Sequence, residues 1–196
     1  KKKIKNFIFF ILYSIIILGD RMKNEHYNNL IKMFKVIDEN ISDILDAGSG
    51  KSSLFTLTDY FNVKVDAIVF PGDTRKINSI KENVKNNYNL IELDICKKEI
   101  TKKYDLVLSH LLLGEALKWN NTFDNLLEKL LNINSKYFII YDYLEDNNIN
   151  YNYLENYLLS NNFKLLYKKQ FKKNEEQQFD EFIGKTYICY VIKKVM

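Results

Sequence analysis

Apolar residues change their spacing repeatedly along this chain, and the changes mark out an alternation of helices and strands. Over residues 22–39, Met22, Leu30, Ile31, Met33, Phe34 and Ile37 recur at helical spacing. A short apolar run over 41–45 follows and ends in Asp46-Ala47-Gly48-Ser49-Gly50. Leu54, Phe55, Leu57 and Phe61 then predict a helix over 52–61. The β-branched run 63–70 predicts a strand broken by Pro71-Gly72, and helical spacing returns over 74–87 through Ile77, Ile80 and Val84. Strands are predicted at 88–93 and 104–109, a leucine-rich amphipathic helix at 122–131, and a buried strand at 137–141. A helix at 153–159 precedes two final strands, 163–171 and 185–193, with no helical pattern between them.

Strands that alternate with helices imply a parallel sheet covered on both faces, because a parallel crossover needs an intervening helix. The expected fold is therefore α/β in three layers, with the last two strands as an antiparallel hairpin at or near one edge. No internal repeat and no second domain are visible.

Composition adds limits. The 196 residues fit one domain, and the two cysteines, Cys96 and Cys189, are too far apart in sequence to suggest a disulfide framework or a zinc site. Two histidines, His26 and His110, are too few for a histidine-rich metal centre, so no metal is expected. A reducing, cytoplasmic setting is expected from the cysteine usage. Residues 1–21 are the doubtful part. A basic head and an apolar run over 7–18 resemble a secretory signal, yet the run is too short to span a membrane and no small-residue cleavage pattern follows. Up to Leu18, every residue type but Ser14 can be encoded by A and T alone, and Gly19-Asp20-Arg21 can be written as a purine run ahead of an ATG for Met22. The expectation is a start at Met22, with 1–21 as translated upstream DNA and 22–196 as the domain. A signal or anchor segment and a covering N-terminal helix are the alternatives, and a membrane partner is expected only if 1–21 is a real segment. The whole chain carries a net charge of +4, but Lys1, Lys2, Lys3, Lys5, Arg21 and Asp20 account for all of it. The remainder is neutral, which offers no support for a nucleic-acid surface.

The glycine turn is the main candidate for chemistry. It lies between the first strand and the first helix of the alternation, where glycines permit a tight turn and a close approach of ligand to backbone. The helix beyond it presents free N–H groups to a polar or anionic ligand. Two nucleotide motifs fail here. Gly50-Lys51-Ser52 has Leu45 where a phosphate-binding loop needs its first glycine, and Gly184-Lys185-Thr186 has Phe179 there. A dinucleotide fingerprint would need glycine where Ser53 stands.

The segment Asp46-Ala47-Gly48-Ser49-Gly50-Lys51-Ser52 resembles the acidic-x-Gly-x-Gly-x-Gly motif of class I S-adenosylmethionine-dependent methyltransferases, with Ser52 in place of the last glycine. The resemblance covers about residues 40–196. It implies a Rossmann-like, mostly parallel seven-stranded sheet whose C-terminal antiparallel hairpin inserts the last strand. It also implies S-adenosyl-L-methionine as cofactor, with Asp46, Ala47, Gly48, Ser49 and Gly50 around its amino-acid and ribose portions. Asp94 and Ile95 would lie near the adenine, and Ser109 and His110 would face cofactor and substrate. The family usually ends its second strand with an acid that grips the ribose hydroxyls. Here Val69 and Phe70 stand at that place, with Asp73 the nearest acid beyond it.

His110 is the candidate catalytic residue, since an imidazole at a strand end can accept a substrate proton near neutral pH. Loop hydrogen bonding or a place in the pocket wall is the plainer role. Glu115, Tyr141 and Asp142 are candidate substrate contacts, against the plainer roles of a solvated carboxylate and a pocket wall. Methyl transfer to a small-molecule acceptor is the expected function. RNA stays open as a partner, whereas DNA is not expected, because the aromatic-proline tetrapeptide of amino-methylating nucleic-acid enzymes is absent. The alternatives are a non-catalytic S-adenosylmethionine- or nucleotide-binding protein of the same fold, and an NAD-type oxidoreductase.

Overall fold

Neighbouring residues of the central strands serve opposite layers. Leu106 and Leu108 pack on one face of the sheet and Val107 on the other. Tyr137, Ile139 and Tyr141 alternate in the same way with Phe138 and Ile140. Such runs look uniformly apolar in sequence because helices cover both faces. The computed structural model describes residues 25–85, 87–114, 123–144, 151–172 and 186–195. The predicted leader 1–21 and Glu115 lie outside these.

The described elements are α1 (Glu25–Phe34), β1 (Ile44–Asp46), α2 (Lys51–Phe61), β2 (Val65–Val69), α3 (Thr74–Asn83), β3 (Tyr88–Glu92), β4 (Tyr104–His110), α4 (Phe123–Asn132), β5 (Ser135–Leu144), α5 (Tyr151–Ser160), β6 (Phe163–Lys172) and β7 (Thr186–Lys194). They form a seven-stranded sheet in the order β3-β2-β1-β4-β5-β7-β6. Strands β1 to β5 pair in parallel, while β7 pairs antiparallel with both β5 and β6. Helices α1, α2 and α3 cover one face through Leu30, Met33, Phe34, Leu54, Leu57 and Ile80. Helices α4 and α5 cover the other through Leu126, Leu127, Leu130, Leu131, Leu154 and Leu158. Among the described residues no helix is long and apolar enough to cross a membrane.

Boundaries differ from the periodicity where side chains or distant strands take over backbone pairing. The strand predicted from residue 41 begins at Ile44. The Asp105 carboxylate accepts the Ser42 N–H at 2.9 Å and the Asp43 N–H at 3.1 Å, so these donors are satisfied outside the ladder. The predicted strand 137–141 lengthens to Ser135–Leu144 because β7 continues the ladder as far as Leu144 opposite Thr186. Helix α3 stops at Asn83, where Val84 turns to extended backbone.

Ile139 sits opposite Leu108 of β4 and Val191 of β7 and is fully buried. Ile139→Ala is expected to lower unfolding free energy by about 2–5 kcal/mol. Leu159→Ala, at a side chain 81% exposed, should stay within about 0.5 kcal/mol. Urea unfolding of the two variants checks both values.

Candidate functional site

Strands β1 and β4 are neighbours, but the chain leaves them in opposite directions, toward β2 and β3 on one side and toward β5 on the other. A sheet of this kind opens a crevice at the carboxyl ends of the strands where that direction reverses. The open cleft found there spans about 570 Å³, its mouth and adjoining solvent included. Seven of the residues expected at a cofactor site line it: Ala47, Gly48, Val69, Phe70, Asp73, Asp94 and Ile95.

Asp46 ends β1 beneath the glycine turn and is fully buried. The Ser53 hydroxyl donates to its Oδ2 at 2.7 Å and accepts the Gly50 N–H at 3.2 Å, which ties the turn to the strand end. The Ser49 hydroxyl donates at 3.0 Å to the Asp46 carbonyl oxygen. That leaves Asp46 Oδ1 buried with no hydrogen-bond partner among the described residues. Burial pushes the carboxyl up from its ordinary 3.8 to about 6, opposed by Ser53, Ser49, the Lys76 ammonium and the Gly48 N–H.

The two glycines of the turn do different work. A methyl group on Gly48 would lie 2.7 Å from Leu112 Cδ1 and 2.9 Å from Leu112 Cβ, so this glycine admits the loop after β4. A methyl group on Gly50 would meet nothing within 4 Å. Gly50 is thus the position that leaves room for a ligand at the start of α2.

The loop after β4 is held by Asp142. Its carboxylate accepts the N–H groups of Leu113 at 2.7 Å, Gly114 at 3.2 Å and Tyr143 at 2.9 Å. Leu111, just before, has φ 56°, an uncommon conformation for a leucine, and its N–H donates to the Tyr141 carbonyl at 2.8 Å. Asp142 therefore secures the loop that carries Leu112 into the cleft. Ser109 is buried, and its hydroxyl has no partner among the described residues.

His110 is almost fully buried beneath His26 of α1, with His110 Nε2 3.4 Å from His26 Nδ1. The His26 ring stacks on Tyr141 at 5.1 Å between centroids and meets Tyr187 edge-on at 5.4 Å. Burial first, then the neighbouring His26 and Lys76, pushes the His110 pKa well below the usual imidazole value, so the ring is neutral at pH 7.

At the outer rim the acids are already engaged. Asp73 caps α3 by accepting the Lys76 N–H at 3.0 Å. Glu92 Oε2 accepts the Gly72 N–H at 2.9 Å. The Asp94 carboxylate accepts the Cys96 N–H at 3.0 Å and pairs with Lys97 at 3.2 Å.

Sequence reasoning missed Ile68, Lys76, Leu93, Cys96, Leu112 and Leu126 in the cleft, and His26 over His110. Ile68, Leu93 and Leu126 carry only the signal of core residues. Lys76 reads as a solvated helix position. His26 is 84 positions from His110, and no local pattern joins them.

Gly48→Ala is expected to destabilise the fold by about 1–3 kcal/mol through overpacking against Leu112. Adding Leu112→Ala should recover part of that loss in a double-mutant cycle read by urea unfolding. The raised pKa of Asp46 gives a second test. The folded chain keeps this proton up to about pH 6, and the unfolded chain releases it near 3.8. Stability from this group therefore falls as pH rises between those values, by about 3 kcal/mol. Across that window the stability of Asp46→Asn relative to the natural chain should improve by a similar amount.

The sequence matches no protein-family model and no curated protein. Solved structures do match. A candidate RNA methyltransferase from Pyrococcus horikoshii aligns with TM-score 0.66 and 18% identity, over 86% of this chain and 82% of that one. An S-adenosylmethionine-dependent methyltransferase from Clostridium acetobutylicum aligns with TM-score 0.61 and 14% identity, over 97% and 99%. An rRNA methylase from Escherichia coli gives TM-score 0.56 and 18% identity, over 86% and 64%. At these identities the likeness is one of architecture, and together with the strand order it shows that this chain has the class I S-adenosylmethionine-dependent methyltransferase fold.

Proposed function

We propose that the chain binds S-adenosylmethionine in this cleft and transfers its methyl group to a small-molecule acceptor. The observation that carries the reading is the cleft itself. It opens at the β1–β4 divergence and is lined by Ala47 and Gly48 of the glycine turn, with the β2 end and the segment after β3 as its other walls.

In this reading the glycine turn and the start of α2 hold the amino-acid end of the cofactor. Phe70 packs at the second-strand position, and Asp94, Ile95 and Cys96 border the adenine. The bound cofactor supplies an already activated sulfonium methyl, so the protein's share is largely alignment and exclusion of water. His110, neutral at pH 7, accepts a proton from the acceptor at the end of β4. Tyr141 and His26 wall that side. A small acceptor is supported by the charge balance of 22–196 and by the near-complete enclosure of His110.

Calorimetric titration of S-adenosylmethionine and S-adenosylhomocysteine is expected to give dissociation constants on the order of micromolar, about −8 kcal/mol. Gly50→Val and Asp94→Ala should each weaken binding at least about tenfold while keeping the far-ultraviolet circular dichroism of the natural chain. Failure of the folded chain to bind either compound would end the methyltransferase reading. Where binding holds, transfer of labelled methyl to small-molecule fractions supports the proposed acceptor, and transfer to RNA redirects it. Binding without transfer to any acceptor leaves a non-catalytic binder of the same fold.

A further inference from the structure

Lys76 occupies a position that helix energetics do not explain. It lies in the first turn of α3, beside Arg75 and with no acidic residue in that turn. The positive end of the helix dipole makes this the least favourable place for a cation, and the Asp73 cap offsets only part of the penalty. Nor does an ion pair account for it. No carboxylate among the described residues lies within 4.0 Å of the Lys76 ammonium, a lack that Lys76 shares with lysines such as Lys51 and Lys81; what sets it apart is its place in the cleft wall. Lys76 instead lines the cleft, together with Ala47, Gly48 and Leu112. Its charge weighs on both Asp46 and His110, at the ends of β1 and β4.

The cleft wall thus carries a cation with no carboxylate partner among the described residues, and behind Ala47 of that wall lies the buried Asp46, whose Oδ1 has no partner among them either. A cation in the wall with an acid behind the same wall complements a ligand that carries a negative and a positive group close together, which is the form of an α-amino acid. Resting on the cofactor reading above, we propose that Lys76 binds the α-carboxylate of the cofactor's amino-acid portion. The apolar end of β2 belongs to the same arrangement. An acid at Val69 or Phe70 would stand at the cleft wall beside Lys76 and compete for its ammonium group. With apolar residues there, the charge stays available to the ligand.

The test compares two ligands that share adenine, ribose and thioether: S-adenosylhomocysteine, which has the amino-acid portion, and 5′-methylthioadenosine, which lacks it. Both are titrated by calorimetry into the natural chain, Lys76→Met and Lys76→Arg. Lys76→Met is expected to weaken S-adenosylhomocysteine about tenfold, as for loss of a charge-assisted hydrogen bond, and to change 5′-methylthioadenosine less than about twofold. Lys76→Arg should restore part of the loss, and the preference of the natural chain for S-adenosylhomocysteine should fall as salt rises. Equal weakening of both ligands, or no weakening of either, would overturn the role of Lys76 and leave the cofactor reading standing. Failure of the natural chain to bind either ligand would remove both. Should Lys76→Met not fold, a salt-independent preference of the natural chain would itself count against the proposal.

Discussion

A sheet buried on both faces has nowhere to put polar groups except at the ends of its strands, and this constraint organises the molecule. Leu45, Val107 and Phe138 face one helical layer, and Ile44, Leu108 and Ile139 face the other. The backbone between them is taken up by ladder bonds. Parallel pairing brings the carboxyl ends of β1 to β5 to the same edge, and the divergence of the chain at β1 and β4 opens that edge. The cleft follows from topology before any particular side chain is considered.

Acids at that edge answer to different surroundings. Asp46 is shut away from water, bonded through one oxygen to Ser53, and holds its proton toward neutrality. Asp142 is as buried but serves three backbone N–H groups, which fixes the loop that lays Leu112 on Gly48. Asp94, nearer solvent, closes a local turn and pairs with Lys97. One residue type thus gives a half-satisfied acceptor, a loop anchor and a rim contact, because burial and the number of available donors differ at each strand end. The ion pairs far from the cleft are of another kind. Glu39 gathers Lys136, Tyr137 and Lys193 at the opposite end of the sheet and is held down to about 2 by their hydrogen bonds.

The proposed methyl transfer from a sulfonium would ask more of alignment than of acid–base groups, which fits a cleft whose wall is largely apolar. The departure at the second strand has a physical counterpart nearby. Where the resemblance implies an acid, Val69 and Phe70 make the wall, and Lys76 lines the same cleft with no carboxylate partner among the described residues. The neighbouring acids Asp73 and Glu92 are held by backbone N–H groups at the start of α3 and at the turn before it.

Much of the architecture was legible in the sequence, because periodicity records which faces are buried. The alternation from residue 41 onward, the terminal hairpin and the position of the glycine turn follow from spacing and turn chemistry alone. Strand ends were less legible. The full length of β5 depends on β7 pairing with it from 186 onward, and the late start of β1 on a carboxylate 62 residues away. The site was legible only in part. Ala47, Gly48, Asp94 and Ile95 line the cleft because strand ends converge. The partners that set its character, Leu112 against Gly48, His26 over His110 and Lys76 in the cleft wall with Ala47, come from elements far apart in the chain. Spacing along the chain determines what each segment buries. Which charges face each other across a cleft is decided by distances between segments, and only the packed sheet sets those.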